Sequence, residues 1–113
     1  MKIISDGLTV DELKQMAEAG FGNLVKAVVD VERGLVAIDA ELHSDLEAVL
    51  LDDGSKQSSL WGINLYPDLP VDSFIEYDSM INLRPSKGNK SRGVDDEEIR
   101  KLIAAVVARK IRR

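Results

Sequence analysis

Two runs rich in β-branched residues, Leu24 to Val31 and Leu35 to Leu42, are separated only by Glu32-Arg33-Gly34. In the first run Val25, Ala27, Val29 and Val31 recur at every second position, and in the second Val36, Ile38, Ala40 and Leu42 do the same. Alternation of period two puts each set on one face of a strand. A short turn ending in glycine, which enters the left-handed region without steric penalty, lets the strands fold back on each other. Lys26 and Asp30, with Asp39 and Glu41, fall on the opposite side. The chain is therefore expected to build an antiparallel sheet with one apolar face, which the remaining segments must cover.

Those segments are read in order. Lys2-Ile3-Ile4 is a short strand or an apolar anchor. Thr9 is expected to cap a first helix, with Glu12 at the capping-box position and Leu13, Met16 and Ala17 at helical spacing. Gly20 and Gly22 end it, with Phe21 packing back onto the core. Ser44-Asp45-Leu46-Glu47 repeats the box and predicts a short helix over 45–52 with Leu46, Val49 and Leu50 inward, while a strand competes for Ala48 to Leu51. Leu60 to Tyr66 is a third strand, with Trp61, Ile63 and Leu65 on one face, stopped by Pro67-Asp68-Leu69-Pro70. Phe74 to Arg84 is the fourth, with Ile75, Tyr77, Ile81 and Leu83 on one face and Glu76, Asp78, Asn82 and Arg84 on the other. A last helix runs from near Asp95 toward Arg113, acidic at its start and basic at its close as the helix dipole favours, with Ile99, Leu102, Ile103, Val106 and Ile111 as its buried stripe. The expected fold class is α+β: a four-stranded, mainly antiparallel sheet with helices on one face, ordered as a helix followed by two ββα-like units. The other face is left wet or free to meet a partner.

A chain of 113 residues fits a single domain, 1–113. With 20 Asp and Glu against 15 Lys and Arg, the net charge of -5 argues against general attraction to nucleic acid, whose binding rests on cations that release counterions. Cysteine is absent, which excludes disulfides, thiolate metal sites and a thiol nucleophile and fits a reducing cytoplasm. Met1-Lys2-Ile3-Ile4-Ser5-Asp6 turns polar before any apolar run develops, and no stretch approaches the ~20 apolar residues of a membrane span, so a cytoplasmic chain without membrane association is expected.

Leu24-Val25-Lys26-Ala27-Val28-Val29-Asp30-Val31, Glu41-Leu42-His43-Ser44-Asp45, Leu60-Trp61-Gly62-Ile63-Asn64-Leu65-Tyr66-Pro67 and Asp78-Ser79-Met80-Ile81-Asn82-Leu83-Arg84-Pro85 together resemble a small prokaryotic family catalogued as a domain of unknown function. The resemblance covers nearly the whole chain. It implies a prokaryotic cytosolic setting and brings no activity, cofactor or catalytic residue.

The basic loop Ser86-Lys87-Gly88-Asn89-Lys90-Ser91-Arg92-Gly93 gathers three cations and two glycines ahead of a helix, a pattern suited to holding a phosphate or carboxylate through backbone N–H groups. The acidic run Asp95 to Glu98 follows where such an anion would sit, and neither GxxxxGK[ST] nor GxGxxG is present. His43, the only histidine, lies between Glu41 and Asp45, where a carboxylate could raise its pKa for acid or base work, although no serine stands in a nucleophile elbow. Asp30, Asp39, Glu41, Glu76 and Asp78 could share the polar sheet face, but no EF-hand or HExxH spacing supports a metal, and cross-strand pairing with Lys26 and Arg84 is the plainer reading. Trp61 and Tyr77 fall by parity on apolar faces, which leaves Tyr66 alone where a base could stack.

The leading expectation is a non-enzymatic binding or interaction module with an anion-binding loop over 84–93, drawing on Asn82, Arg84, Lys87, Asn89, Lys90 and Arg92. Its partner, held by the wet face and the basic loop, is a protein or a small anionic ligand, and the module itself could be a homo-oligomer. The alternative is a small enzyme acting on a phosphorylated or nucleotide substrate with His43 or Asp78 as acid or base, which requires a pocket joining both to Arg84. A role in a nucleic-acid complex would need the loop and the Arg109 to Arg113 run on one surface. No metal and no cofactor is expected.

Overall fold

The computed structural model describes residues 1–113. In chain order it holds β1 (Lys2–Ile3), β2 (Leu8–Thr9), α1 (Val10–Ala19), β3 (Val25–Asp30), β4 (Leu35–Ile38), α2 (His43–Asp52), β5 (Leu60–Leu65), β6 (Ile75–Glu76), α3 (Glu97–Lys110) and β7 (Ile111–Arg112). Short 3-10 turns lie at Gln57–Ser59, Val71–Ser73, Met80–Asn82 and Pro85–Lys87. The fold is α+β. An antiparallel five-stranded sheet has the order β1-β4-β3-β5-β6, and β2 and β7 form a separate parallel pair.

The central hairpin forms as its sequence requires. Ala27 pairs with Ile38 and Asp30 with Leu35, and Gly34 takes φ +69° in the turn. Asp30 fastens that turn, its Oδ1 accepting from the Glu32 and Arg33 N–H groups at 2.9 Å each. β5 lies along the other side of β3 over its whole length, from Val25–Leu65 to Asp30–Leu60. Lys2-Ile3 resolves as an edge strand beside β4.

Both faces of the sheet are covered. Val25, Ala27, Val29, Val36, Ile38, Trp61, Ile63 and Leu65 pack with Leu13 and Ala17 of α1 and Ile103, Val106 and Val107 of α3. The intervening residues Val28, Ala37 and Leu60 pack with Leu46 and Leu50 of α2. The expectation of helices on one face and a wet face on the other is corrected here, and so is the strand count of four. The cause is visible in β3, where Val28 and Val29 are adjacent apolar residues, so the strand has no wholly polar side. Burying a leucine or valine contributes about 1.5–3 kcal/mol, so Val28, Leu46, Leu50 and Leu60 anchor α2 on this face.

The fourth strand is the larger departure. Only Ile75 and Glu76 pair with β5, opposite Leu65 and Asn64. Beyond them the chain leaves the sheet, and Ser79 starts a 3-10 turn by accepting the Ile81 N–H on its hydroxyl at 3.3 Å. Tyr77 then packs on the α1/α3 side and Ile81 on the α2 side, whereas a strand would have placed them together.

The helix ends show which local signals sufficed. α1 has the complete capping box: the Thr9 hydroxyl accepts the Glu12 N–H at 3.1 Å, and Glu12 Oε1 accepts the Thr9 N–H at 3.2 Å. Phe21 is 49% exposed instead of packed inward, with the Lys26 ammonium 5.2 Å from its ring centroid. α2 is a helix, not the competing strand, but it starts at His43 behind Leu42 and forms no box at Ser44. α3 begins behind Asp96, whose side chain caps Glu98, and ends at Lys110 because Ile111–Arg112 turns aside to pair with Leu8–Thr9. Leu102 is 50% exposed, and Val107 takes the buried place instead. No helix is long and apolar enough to cross a membrane.

Candidate functional site

β6 covers only the end of β5, so the stretch from Leu60 to Ile63 has no strand beside it on that side. Unpaired strand edges are reactive, and proteins cover them. Here side chains do so. Asn82, with no exposed surface, accepts the Gly62 N–H on Oδ1 at 2.8 Å and donates Nδ2 to the Gly62 carbonyl at 2.9 Å and the Arg92 carbonyl at 3.0 Å. Its carboxamide stands in for one residue of a neighbouring strand. Glycine is required opposite it, since a Cβ at position 62 would lie 2.5 Å from Ser79 Cβ. Asn89 braces the same loop, donating to the Asn82 and Gly93 carbonyls at 2.8 Å each and accepting the Asp95 N–H at 2.8 Å. Both asparagines, expected among the ligand-binding residues, have their polar groups engaged within the fold.

Arg84 is the next side chain along this edge. Its Nη2 donates to the Leu60 carbonyl and its Nε to the Ile81 carbonyl at 3.2 Å, while the guanidinium lies over the Trp61 ring, 4.6 Å from the centroid. It is half-buried, and desolvation lowers its pKa from the usual arginine value, only partly opposed by Glu47. It forms no ion pair. Around it opens a cleft of about 870 Å³, with Trp61, Ile81, Leu83 and Lys87 in its walls and the acids Glu47 and Asp96 also lining it. Met80, 63% exposed, and Leu83, 41% exposed, give it an apolar rim. A guanidinium with spare donors beside an aromatic face can bind an anion with a flat or apolar body.

The rest of the basic loop is occupied by the chain itself. Asp95 accepts the Lys90 N–H at 2.7 Å and the Ser91 hydroxyl at 2.5 Å. These hydrogen bonds, Ser91's first, hold the Asp95 carboxyl below the usual carboxylate range. Arg92 pairs with Asp78, Nε to Oδ1 at 3.0 Å. Of the six residues expected to bind an anion, Arg84, Lys87 and Asn89 line the cleft, whereas Asn82, Lys90 and Arg92 do not. Lys87 lies in the loop before α3, a helix of 14 residues about 21 Å long, and the Arg109 to Arg113 run lies at the far end of that helix.

His43 and Asp78 lie apart from the cleft. His43 is buried at the start of α2, with Nε2 2.8 Å from the Ile63 carbonyl. A carbonyl only accepts, so Nε2 carries the proton, and desolvation pushes the pKa down from 6.5 against the raising influence of that hydrogen bond. The ring is therefore neutral at pH 7. The carboxylates read as candidate cation ligands are dispersed: Asp30 in its turn, Glu76 bonded to Asn64 at 2.8 Å and Tyr66 at 3.0 Å, Asp78 on Arg92. No group of three His, Asp or Glu side chains converges as a metal-binding set.

Sequence reasoning missed Trp61, Met80 and Leu83 as cleft residues. Parity assigned Trp61 and Leu83 to apolar faces, and Met80 lay inside the supposed strand. The signal available was Gly62, because glycine inside a strand marks a close approach by another part of the chain. A protein-family model described as "Protein of unknown function (DUF5674)" matches residues 2–110. No curated protein matches the chain, and no solved structure does.

Proposed function

The chain belongs to the DUF5674 family, whose description names no activity, and we propose that it is a non-enzymatic binding module whose cleft beside Arg84 takes a small anionic ligand with a flat or apolar body. The observation that carries this reading is the state of Arg84: a half-buried guanidinium, stacked on Trp61 in the wall of a cleft, with no carboxylate paired to it. Glu47 acts on Arg84 without a direct ion pair, so the half-buried cation is only partly compensated, and an anion entering the cleft would hold it through charge-assisted hydrogen bonds. Lys87, in the same wall, adds a second positive charge, set against the acids Glu47 and Asp96 of the lining.

The enzymatic alternative has less support. It asks His43 or Asp78 to work beside Arg84, but His43 is neutral, buried and bonded to β5, Asp78 is paired with Arg92, and neither lines the cleft. A partner held on a wet sheet face also has less support, since α2 covers that face.

The test is a thermal-shift panel of nucleotides, phosphorylated metabolites and aromatic carboxylates against the wild type and Lys87→Glu, a substitution at an exposed position that holds nothing in the fold. A ligand at 100 times its Kd stabilises by about 2.7 kcal/mol. A saturable shift that weakens in Lys87→Glu supports the reading. A panel without any shift, or binding that ignores the charge reversal, overturns it.

A further inference from the structure

A second concavity lies on the α1/α3 side of the sheet, between the last two turns of α3 and the short edge strand β6. Its volume is about 580 Å³, and 8 of its 11 lining residues are hydrophobic. Its origin is local. α3 turns Ala104 and Ala108, one turn apart, toward it, and small side chains there leave a trough instead of a filled interface. β6 ends after two residues, so no further strand closes the outer side. Phe74, Val107 and Ile111, all nearly or wholly buried, form its base, and Val71 stands 68% exposed at its margin.

Charge is concentrated in two of the lining residues. Arg112 and Arg113 both line the trough, Arg113 with its guanidinium 4.5 Å from the Phe74 ring centroid. Neither forms an ion pair or donates a side-chain hydrogen bond to a carboxylate. One acid, Asp72, also lines the trough. Arg112 also lies beside Gly7 and acts on Glu12, so Arg113 is the cation left without a carboxylate close to it, and one guanidinium suits a monoanion better than a doubly charged phosphate. A mostly apolar concavity of a few hundred Å³ with few convergent polar groups is the usual form of a small-molecule site. The arginine fork fits a carboxylate bidentately.

We propose that this trough binds an amphipathic carboxylic acid, its apolar body against Phe74, Val107 and Ile111 and its carboxylate held by Arg112 and Arg113. The site is separate from the cleft at Arg84. Ile99 of α3 lines that cleft and Ala108 lines the trough, about 14 Å apart along the helix axis.

The probe is decanoate, titrated below its micelle threshold into the isotopically labelled protein and followed by backbone amide shifts, with decanol as the uncharged control. Saturable decanoate shifts concentrated at Ile75, Tyr77, Ala104 and Ala108 are expected. The double variant Arg112→Glu/Arg113→Glu should weaken the decanoate shifts at these residues at least tenfold and leave decanol unchanged. Ala108→Trp, which fills the trough from an exposed helix position, should weaken both ligands. If that variant does not fold, the charge-reversal pair at two exposed positions decides alone. Shifts that map elsewhere, decanoate affinity indifferent to the two arginines, or occupancy only by an extended peptide along β6 would each overturn the proposal.

Discussion

Replacing Asn82 with alanine should unfasten the open half of β5, and the size of the effect can be worked from the hydrogen bonds it makes. The substitution leaves the Gly62 N–H and the Gly62 carbonyl without partners, while the Arg92 carbonyl keeps the Ser79 N–H at 2.9 Å. The two Gly62 groups are buried, and each unsatisfied buried group costs about 1–3 kcal/mol. A water admitted to the vacated space would recover part of this, and the Arg92 carbonyl borders an exposed loop, so a net loss of about 3 kcal/mol is expected. That is a large share of the roughly 5–15 kcal/mol that holds a domain together. Urea unfolding should show a lower midpoint with unchanged slope, and heating a Tm lower by roughly 10–15 °C. Asn82→Asp sharpens the test. Its carboxyl keeps an acceptor for the Gly62 N–H but turns its second oxygen toward two carbonyls, which only a donor can satisfy. The folded state must then hold the proton, so the folded pKa rises above the unfolded value of about 3.9. The variant should approach wild-type stability below that value and fall behind as pH rises through the folded pKa. An alanine variant that loses less than 1 kcal/mol, or an aspartate variant whose deficit does not grow between pH 4 and 7, would refute the idea that one carboxamide serves as the missing strand.

Gly62→Ala should be destabilising by roughly 1–3 kcal/mol, because its Cβ would meet Ser79 Cβ at 2.5 Å and Ser79 Oγ at 2.6 Å. Adding Ser79→Gly should return part of the loss in urea unfolding, whereas no recovery would mean that the clash is not the cause. His43 is buried with its pKa lowered, so the unfolded chain binds the proton more readily. Its contribution is fully present above pH 6.5 and declines as pH falls below it, by at most about 1.4 kcal/mol per pH unit. A pH series of unfolding midpoints on the wild type and His43→Gln checks this, and identical slopes in the two proteins would disprove it.

Features set by neighbours in sequence could be read without coordinates. The Thr9–Glu12 box, the Gly34 turn and the inward set Trp61, Ile63 and Leu65 depend on residues within a few positions, and all are present. What escaped depends on partners distant along the chain. Ile75, Tyr77, Ile81 and Leu83 keep a period of two, yet two strand residues followed by two 3-10 turns satisfy the same pattern. That chain turns away because Gly62, well before it in sequence, admits Ser79, and no local propensity records this. The site follows the same division. Residue type marked Arg84 and Lys87, and both line the cleft, but type could not show that Asn82 and Asn89 spend their hydrogen bonds on backbone. The acidic run noted as competing for the basic loop does so through Asp95.

The parallel pairing of Leu8–Thr9 with Ile111–Arg112 also sets an order in time. About a hundred residues separate the two strands, and synthesis at 5–20 residues per second puts roughly 5–20 s between their appearances. Throughout that interval the segment that leads into α1 lacks its neighbour. The growing polypeptide can assemble β3, β4 and β5 early, but the seam beside α1 can be sewn only when the final turns of α3 have emerged. A chaperone or protease meeting the nascent chain would find its open end there.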